Sequence, residues 1–350
     1  MSVDRPGPVP AAHHVDPGPL AAWLSAATLV EPGTPITLQW FGRGYSNHTF
    51  AVTAGDRSWV VRRAPPGVTI ATAHDMAREA RVLGALSAAW GKAPKVLGVC
   101  DDPSVLGAPF FLMERRYGTI LRAEHALPAA VAAPLAVAAA GTLAEIHRLN
   151  PALLGGPGRP GYVRRQVHGW TERWRASRTE PIAAMDGVAR WLTDHQPDDH
   201  PHAVVHNDFK YDNLLLSGDG DAPYEVTTVL DWEMATVGDP RLDLGMALAY
   251  WVQDGDPPAL RALRFGPTDG PGAPDRDAFA HAYVAAGGVD PGDLTFPYVF
   301  GLFKLGVIAQ QLYARHAAGL SDEPRYARMG AAVRAVAAHA ARAAQLPPGL

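Results

Sequence analysis

Two acidic motifs, each placed directly after an apolar run, constrain this chain more than any other feature. The first is "VVHNDFKYDNLLL" at residues 204–216, in which the Asp208 carboxylate precedes the Asn213 carboxamide by five positions. The second is "VLDWEMATVGDP", in which Asp231 follows the apolar run "EVTTVL". Loops held by core strands can bring such side chains together. The pattern favours a functional polar site over a polar loop that only connects two strands.

The side chains of these motifs match the needs of one reaction type. The oxygens of Asn213 and Asp231 suit Mg²⁺, which takes its other ligands from water and phosphates. The Asp208 carboxylate can accept the proton of an attacking hydroxyl. Base and metal together are what phosphoryl transfer requires. The alternative is that these residues only cap turns and a helix, but the H-x-D-x-x-x-x-N spacing with a later acid favours the functional interpretation.

Composition sets the class of protein. The net charge of −4 over 350 residues gives no basic field for nucleic acid or a membrane surface. A single cysteine, Cys100, rules out an internal disulfide framework and the usual thiolate zinc sites. The start has no signal-like apolar stretch, and no later run of about 18 apolar residues suggests a membrane span. We expect a cytoplasmic monomer or small homo-oligomer without nucleic-acid or membrane partners.

The sequence pattern divides the chain into three regions. Residues 1–19, rich in Pro and His, predict a flexible arm. Residues 20–116 carry short alternating β runs and one long helical stretch, "AHDMAREARVLGALSAAW". Residues 117–350 form a larger helical lobe. Its predicted helices are 127–149, 162–176, 183–195, 277–286, 297–316 and 323–345, with a β interlude at 203–231.

These motifs resemble a known family. Together with "GRGYSNHTF", "WVVRRAPPG", "REARVLGAL", "PFFLME" and "LGVIAQQLYAR", they resemble the aminoglycoside phosphotransferase-like kinases. The nearest branch contains the kinase-like domain of certain acyl-CoA dehydrogenases. The resemblance covers nearly the whole chain. It implies an α+β, bilobal, protein-kinase-like fold with a small antiparallel β N-lobe, a larger mainly helical C-lobe, and ATP and Mg²⁺ as cofactors.

The resemblance assigns roles to the two acidic motifs. Asp208 would be the catalytic base, and Lys210 would neutralise the γ-phosphate in transfer. Asn213 and Asp231 would hold Mg²⁺. Glu233 would lie on the same side of an extended chain as Asp231 and is a third candidate metal ligand.

Other residues of these motifs have supporting roles or none. Asp243, in "GDPRLDLG", resembles a buried Asp that braces the catalytic loop through its backbone N–H groups. His206 would support the loop by hydrogen bonding rather than act as a base. Asn207 stands where Gly is usual in this branch, and the residues alone do not explain it. Tyr211 and Asp212 are expected to be surface filler.

The N-terminal lobe carries the candidate nucleotide contacts. The turn "GRGYSN" would cover the nucleotide through Gly42, Gly44, Ser46 and Asn47, although a simple hairpin turn is the alternative. In "PFFLMERRYG", Met113 would abut the adenine. The backbones of Glu114 and Arg115 would supply its hydrogen bonds.

An arginine stands where related kinases place the lysine that binds the α- and β-phosphates. Arg62 occupies that position, and Glu79 in "MAREARVL" falls where its acidic partner lies. Strand alternation allows only one of Arg62 and Arg63 to face the site, and we favour Arg62. Arginine can bind phosphate with two hydrogen bonds, so the substitution does not exclude activity.

The acceptor is expected to be a small molecule. Gly238 follows Asp231 by seven positions, which leaves no room for the long peptide-docking segment of a protein kinase. The stretch 159–178 contains six Arg and one acid, Glu172. This composition favours an anionic acceptor such as a hydroxyacyl-CoA, bound by Arg164, Arg165 and Arg173. A solvated arginine-rich helix face is the alternative.

Three other functions stay open at this point. An aminoglycoside or amino-sugar kinase would need an acidic acceptor side. A pseudokinase that binds nucleotide or acyl-CoA without turnover would fit Arg62 and Asn207. A metal-dependent phosphohydrolase could use the same acids, but it would need neither a glycine loop nor a hinge strand.

Overall fold

The computed structural model describes residues 5–42, 47–65, 76–218, 224–321 and 323–347. Its helices are α1 (Pro17–Ala26), α2 (Met76–Ala89), α3 (Pro103–Leu106), α4 (Ala129–His147), α5 (Tyr162–Ser177), α6 (Ala183–Asp194), α7 (Pro240–Tyr250), α8 (Pro258–Arg261), α9 (Arg276–Ala285), α10 (Thr295–Ala317), α11 (Pro324–Ala327) and α12 (Met329–Ala343). Its strands are β1 (Thr37–Trp40), β2 (His48–Ala54), β3 (Arg57–Arg63), β4 (Val96–Cys100), β5 (Phe110–Glu114), β6 (Ala203–Val205), β7 (Leu214–Ser217), β8 (Glu225–Val229) and β9 (Thr236–Gly238).

The chain divides into two compact units. Among the described residues, unit 1 contains those up to 120 together with 213–218 and 225–234. Unit 2 contains residues 121–212, 224 and 235–347. This division differs from the predicted lobes, because two segments of the β interlude belong to unit 1.

A five-stranded antiparallel sheet in the order β1-β2-β3-β5-β4 forms the body of unit 1. One face carries Phe50, Val52, Val61 and Leu112, which pack with Leu20 and other residues of α1 in an apolar core. Because side chains alternate along a strand, the even-numbered residues of β3 point to the opposite face. The predicted strands and the helix of this region are confirmed by this sheet and by α2.

The start of the chain differs from the loose arm that we expected. Gly7 exchanges two backbone hydrogen bonds with Trp40, at 2.9 and 2.8 Å. The His13 ring stacks on the Trp40 ring with centroids 4.7 Å apart. The reason is that β1 is an edge strand, whose unpaired backbone groups are available to a passing segment.

The hairpin of β7 and β8 joins unit 1 through its backbone. Leu216 and Thr119 exchange two backbone hydrogen bonds of 2.9 Å, and Val229 N–H donates to Lys92 O at 2.8 Å. At the base of the hairpin, Leu230 N–H donates to Asn213 O at 2.8 Å. The hairpin therefore ends with Asn213 and the Asp231 loop side by side.

Unit 2 is built around α10. This helix packs against α5, α6, α7 and α12, and their apolar side chains form one buried core. The predicted helices are confirmed within a few residues, except that 323–345 divides into α11 and α12. A two-stranded ribbon of β6 and β9 pairs Ala203 with Gly238 and Val205 with Thr236.

Sequence reasoning missed α7 and β9. From Leu242 to Tyr250 every residue of α7 is buried, so this helix has no polar face and no amphipathic period. β9 has only three residues, which is too short for an alternation to be recognised.

One described helix, α4, is long and apolar enough to span a membrane by length and composition. Of its most apolar window, 56% is buried inside the protein, as in the core helix of a globular unit.

Two glycines allow α7 and α10 to approach closely. A Cβ on Gly245 would lie 2.0 Å from the Pro297 carbonyl oxygen, and a Cβ on Gly301 would lie 2.2 Å from the Gly245 carbonyl oxygen. Neither distance is possible for a real side chain. The crossing therefore requires backbone contact, and it sets the position of every side chain that these two helices contribute.

We expect Gly245→Ala to lower the free energy of unfolding by more than about 2 kcal/mol, because α10 must move to admit the methyl group. The control is Gly141→Ala in α4, where the nearest atom to the new Cβ would be 3.8 Å away. The free energy of unfolding of that variant should rise by up to about 1 kcal/mol, because Ala favours a helix more than Gly does. Urea unfolding measures the free energy of unfolding of both variants. Equal values for Gly245→Ala and Gly141→Ala would contradict the close crossing of α7 and α10.

Candidate functional site

The two arginines at the end of β3 point in opposite directions. Arg63 lies on the α1 side, where it donates to Leu106 O at 2.7 Å and contacts His48 Nδ1 at 2.8 Å. Arg62 lies on the other side, with its Nε 3.1 Å from Glu79 Oε2. Alternation along the strand therefore places Arg62, and not Arg63, beside the acid of α2.

Three carboxylates converge on Arg62. Besides the Glu79 contact, its terminal nitrogen donates to Asp231 Oδ1 at 2.6 Å and to Glu233 Oε2 at 2.8 Å. Asp231 has a φ of 63°, in the left-handed region that an Asp tolerates better than most residues. Such backbone conformations occur often at functional sites, where the surroundings hold them in place.

One guanidinium shared by three acids sets the electrostatics of this cluster. Burial raises the pKa of Glu79 to about 8, and the nearby Asp231 and Glu233 add to that shift while Arg62 opposes it. Burial alone would lower the pKa of Arg62, but the three carboxylates reverse this and raise it. Arg62 is therefore always charged, and Glu79 is the acid of the cluster whose pKa is raised.

The cluster is held from two further directions. Asn47 Nδ2 donates to Glu233 Oε2 at 2.9 Å, and the Arg78 guanidinium donates to Glu233 O at 2.8 Å. Gly42 is exposed in the turn before β2. Gly44 and Ser46, which the resemblance assigns to the nucleotide, lie outside the described residues.

The predicted metal ligands are all in unit 1 and fit Mg²⁺. Asn213, Asp231 and Glu233 offer hard oxygens, and the two carboxylates already converge on one positive group, the guanidinium of Arg62. No group of three or more His, Cys, Asp or Glu with metal-binding geometry occurs within the described ranges.

The expected hinge contacts stay a prediction. The Glu114 N–H donates to Lys95 O at 2.9 Å, which leaves the Glu114 carbonyl and the Arg115 backbone as the candidates for an adenine ring. Met113 is buried in β5, and the Arg115 guanidinium donates to Ser58 Oγ at 3.0 Å.

In unit 2, the Asp208 carboxylate is held at both oxygens. Lys210 Nζ donates to Oδ2 at 2.6 Å, and the Tyr250 hydroxyl donates to Oδ1 at 2.6 Å. Burial alone would raise the pKa of Asp208, but the Lys210 charge and the two hydrogen bonds outweigh it and lower the pKa. The carboxylate is therefore ionised and oriented, as a base requires. Tyr250 lies in the missed helix α7 and was not predicted.

A buried carboxylate holds the loop before Asp208. Asp243 is 0% exposed and accepts the backbone N–H of His206 at 2.6 Å and of Asn207 at 2.7 Å. His147 Nε2 lies 3.0 Å from the same carboxylate, and its Nδ1 lies 2.6 Å from the Tyr283 hydroxyl. Because Asp243 can only accept, His147 donates from Nε2.

The structure explains Asn207. Its φ is 66°, the left-handed conformation that favours Gly and that Asn adopts more readily than other residues. The Tyr162 hydroxyl hydrogen-bonds to its side chain. Asn is therefore compatible with the loop geometry that Gly would otherwise provide.

Lys304 of α10 is a second residue that sequence reasoning missed. It is 2% exposed, and its Nζ donates to Asn207 O at 2.8 Å. One signal could have identified it. It is the single charged residue in the stretch "TFPYVFGLFKLGVIAQQLYA", and an isolated charge in an apolar helix needs a buried partner.

Tyr211 and Asp212 are not surface filler, contrary to our expectation. Tyr211 is 5% exposed, and its ring packs 5.3 Å from the Trp251 ring. Burial raises the pKa of Asp212, against the opposing charges of Lys210 and Arg122. Gly266 of the 253–275 segment also lies against the Tyr211 ring, so both this segment and Trp251 pack against Tyr211.

The three predicted acceptor arginines do not form one group. Arg164 and Arg173 are nine residues apart in α5, which places them on opposite sides of the helix. Arg165 donates to the carbonyls of Arg159 and Pro160 at the helix start. Arg173 is the member whose charge acts on Lys304, the lysine that donates to Asn207 O. Its guanidinium carbon lies 4.8 Å from the centre of the Trp170 ring, over which Lys304 also lies.

A sequence model described as "Phosphotransferase enzyme family" matches residues 37–291, more than half of the chain. The chain belongs to this family. It is also 34% identical over 293 residues to acyl-CoA dehydrogenase family member 10 of Mus musculus, a match that covers 81% of this chain and 27% of that protein. The resemblance drawn from the motifs is therefore confirmed. The chain spans only 27% to 40% of the length of its relatives among acyl-CoA dehydrogenase family members 10 and 11.

Solved structures show the same fold. A Ralstonia eutropha protein assigned as an aminoglycoside phosphotransferase has a TM-score of 0.77 at 28% identity and covers 95% of this chain and 99% of its own. The aminoglycoside phosphotransferase APH(4)-Ia, in a ternary complex with AMP-PNP and hygromycin B, has a TM-score of 0.60 at 15% identity and covers 95% and 100%. The predicted α+β, protein-kinase-like fold is confirmed.

The raised pKa of Glu79 predicts a pH-dependent stability. The folded protein keeps a proton that the unfolded chain releases between about pH 4.5 and about pH 8. The stability of the wild type relative to Glu79→Gln should therefore fall as the pH rises through this window, by about 1.4 kcal/mol for each unit of pKa difference. Above about pH 8 the difference should be constant.

Urea unfolding midpoints between pH 5 and pH 9 measure this effect. Glu172→Gln is the control, because Glu172 forms only an exposed ion pair with Arg175. A difference between wild type and Glu79→Gln that does not change with pH would show that Glu79 is ionised throughout.

Proposed function

We propose that the protein is an ATP- and Mg²⁺-dependent kinase that transfers the γ-phosphate to a hydroxyl of a small molecule. The observation that carries the proposal is the Asp208 carboxylate, which is oriented by Lys210 and Tyr250 on a loop held by Asp243. Family membership supports the reaction class. The complex of APH(4)-Ia with AMP-PNP supports an adenine nucleotide as donor.

The proposed reaction moves one proton and one phosphoryl group. The acceptor oxygen attacks the γ-phosphorus, the bond from that phosphorus to the β–γ bridging oxygen breaks, and ADP leaves. The hydroxyl proton passes to Asp208, whose lowered pKa keeps it ionised until then. Lys210 places an ammonium beside this carboxylate and would share its charge with the phosphate oxygens.

The unit 1 cluster would serve the nucleotide. Arg62 would bind the α- and β-phosphates, held in place by Glu79. Asn213, Asp231 and Glu233 would hold Mg²⁺, which supplies neutralisation of phosphate charge when bound. Nucleotide binding would then draw Arg62 away from the two carboxylates that it contacts here.

Two observations support a small anionic acceptor. β9 begins at Thr236, directly after the Asp231 loop, so the chain has no long peptide-docking segment at this point. Relatives named acyl-CoA dehydrogenase family members support an acyl-CoA-type acceptor carrying a hydroxyl. Arg173, whose charge acts on Lys304, is the arginine best placed to contact its phosphates or carboxylate.

A second candidate function rests on Arg62. Its guanidinium engages both Asp231 and Glu233, the carboxylates that Mg²⁺ would need. If that contact persists with nucleotide present, the protein is a pseudokinase that binds nucleotide or acyl-CoA without turnover.

Phosphate transfer from [γ-³²P]ATP with Mg²⁺ tests both functions on a panel of hydroxyacyl-CoAs, aminoglycosides and amino sugars. We expect transfer to a hydroxyacyl-CoA. Asp208→Asn should lose at least about 100-fold in kcat and keep its ATP affinity, because a base contributes to the chemical step alone. Failure of the wild type to bind ATP would overturn the kinase proposal, and binding without transfer would favour the pseudokinase.

The acceptor class has its own control within this assay. Arg173→Ala should raise the KM for the acyl-CoA several-fold, whereas Arg175→Ala, which loses only an exposed pair with Glu172, should not. Preferred transfer to an aminoglycoside, or equal KM values for the two variants, would contradict an anionic acceptor.

Tyr250→Phe should shift the pH profile of kcat/KM. The Tyr250 hydrogen bond helps to lower the pKa of Asp208, so its loss raises that pKa and moves the acidic limb to higher pH. The loss of activity should be largest at acidic pH and smallest at pH values above the acidic limb of the profile. Tyr298→Phe is the control, since its hydroxyl contacts His339 instead. An acidic limb at the wild-type position in Tyr250→Phe would show that this hydroxyl does not tune the base.

A further inference from the structure

Lys304 is a buried cation for which the proposed reaction has no direct use. It lies in α10, one helical turn after Gly301, the glycine at which α10 touches α7. Its side chain reaches the catalytic loop and donates to Asn207 O at 2.8 Å. The same ammonium lies 5.3 Å from the centre of the Trp170 ring of α5.

The charged groups that act on Lys304 belong to the catalytic region. Asp243 of α7 and Asp208 of the loop stabilise its charge, while Lys210 of the loop and Arg173 of α5 oppose it. Coulomb interaction is reciprocal, so the Lys304 charge stabilises the ionised form of Asp208 in turn. The residue is thus coupled to the base through its charge and through the Asn207 carbonyl.

Burial makes this lysine costly to the fold. Desolvation lowers the pKa of Lys304 to about 8, against the attraction of Asp243 and Asp208. Holding this charge in the interior costs free energy that an apolar side chain of similar size would not incur.

We propose that Lys304 is a positioning residue, which fixes the Asn207 peptide and so the orientation of the Asp208 carboxylate. Three helices hold Asn207 at different atoms. Asp243 of α7 accepts its N–H at 2.7 Å, Tyr162 of α5 bonds its side chain, and Lys304 of α10 donates to its carbonyl. With N–H, side chain and carbonyl all bonded, the left-handed residue before the base is held in one conformation. The inference rests on the proposed function, since it makes Asp208 the base.

Three variants separate the possible roles of this residue. Lys304→Met removes charge and donor at similar length, and Lys304→Gln keeps an N–H donor without the charge. Gln310→Met is the matched control, because Gln310 is a buried donor of the same helix that bonds Ser177 O and Thr179 Oγ1 instead of the loop. Each variant is examined by thermal unfolding, by hydrogen exchange of the substrate-free protein, and by steady-state kinetics over pH.

We expect Lys304→Met to melt near the wild-type temperature, because removal of a desolvated charge offsets the loss of the hydrogen bond to Asn207 O. The peptide containing residues 206–208 should exchange about tenfold faster, the effect of losing one hydrogen bond. If the wild type is active, kcat should fall about 10- to 100-fold with little change in the KM for ATP, as for a slightly misplaced base. The acidic limb should move to higher pH in both Lys304 variants, and Lys304→Gln should recover part of kcat.

Gln310→Met should lose stability but keep the exchange of residues 206–208, kcat and the pH profile. Lower stability of Lys304→Met and Lys304→Gln, with wild-type exchange in the loop, would overturn the inference and leave a purely structural lysine. If the wild type is active, an unchanged kcat and an unchanged acidic limb in Lys304→Met would also overturn the inference. Accelerated exchange in Lys304→Met with no phosphate transfer by the wild type would keep the positioning role and reject the proposed kinase reaction.

Discussion

A buried carboxylate that accepts backbone N–H groups is the contact on which the organisation of unit 2 depends. Asp243 takes two such hydrogen bonds from the residues just before Asp208, and His147 and Tyr283 complete its surroundings. An ionised group at 0% exposure is tolerated only when its lone pairs are occupied in this way. The backbone contact of α7 and α10 at Gly245 and Gly301 then sets where both helices can reach the same loop. Loop, base and supporting side chains form one packed assembly.

The electrostatic arrangement of unit 1 is different, because one guanidinium contacts three acidic side chains. Arg62 stays charged, and Glu79, the most buried of the acids, has the raised pKa. An arginine suits this position, since its planar group presents several donors in fixed directions, where a lysine would offer one compact charge. The same property makes Arg62 suitable for phosphate groups. It also makes Arg62 the residue on which the choice between kinase and pseudokinase depends.

Local pattern was sufficient wherever function requires a residue type at a fixed spacing. The strands of unit 1 alternate, the surface-facing helices have a period, and the acidic motifs have the separations that phosphate chemistry needs. It failed at α7, which is buried all round, and at β9, which is too short. It also failed at Tyr211, whose partner Trp251 is distant in the chain.

The residues alone determined the fold class, the family and which two acidic motifs are the candidate site, because these depend on side-chain chemistry and periodicity within short segments. Tertiary structure alone decided which arginine meets Glu79, why Asn occupies position 207, and that Tyr250 and Lys304 contact Asp208 and Asn207. Those contacts join segments between 17 and about 100 positions apart. They depend on strand direction, backbone dihedral angles and a helix crossing, which appear in no short stretch of sequence.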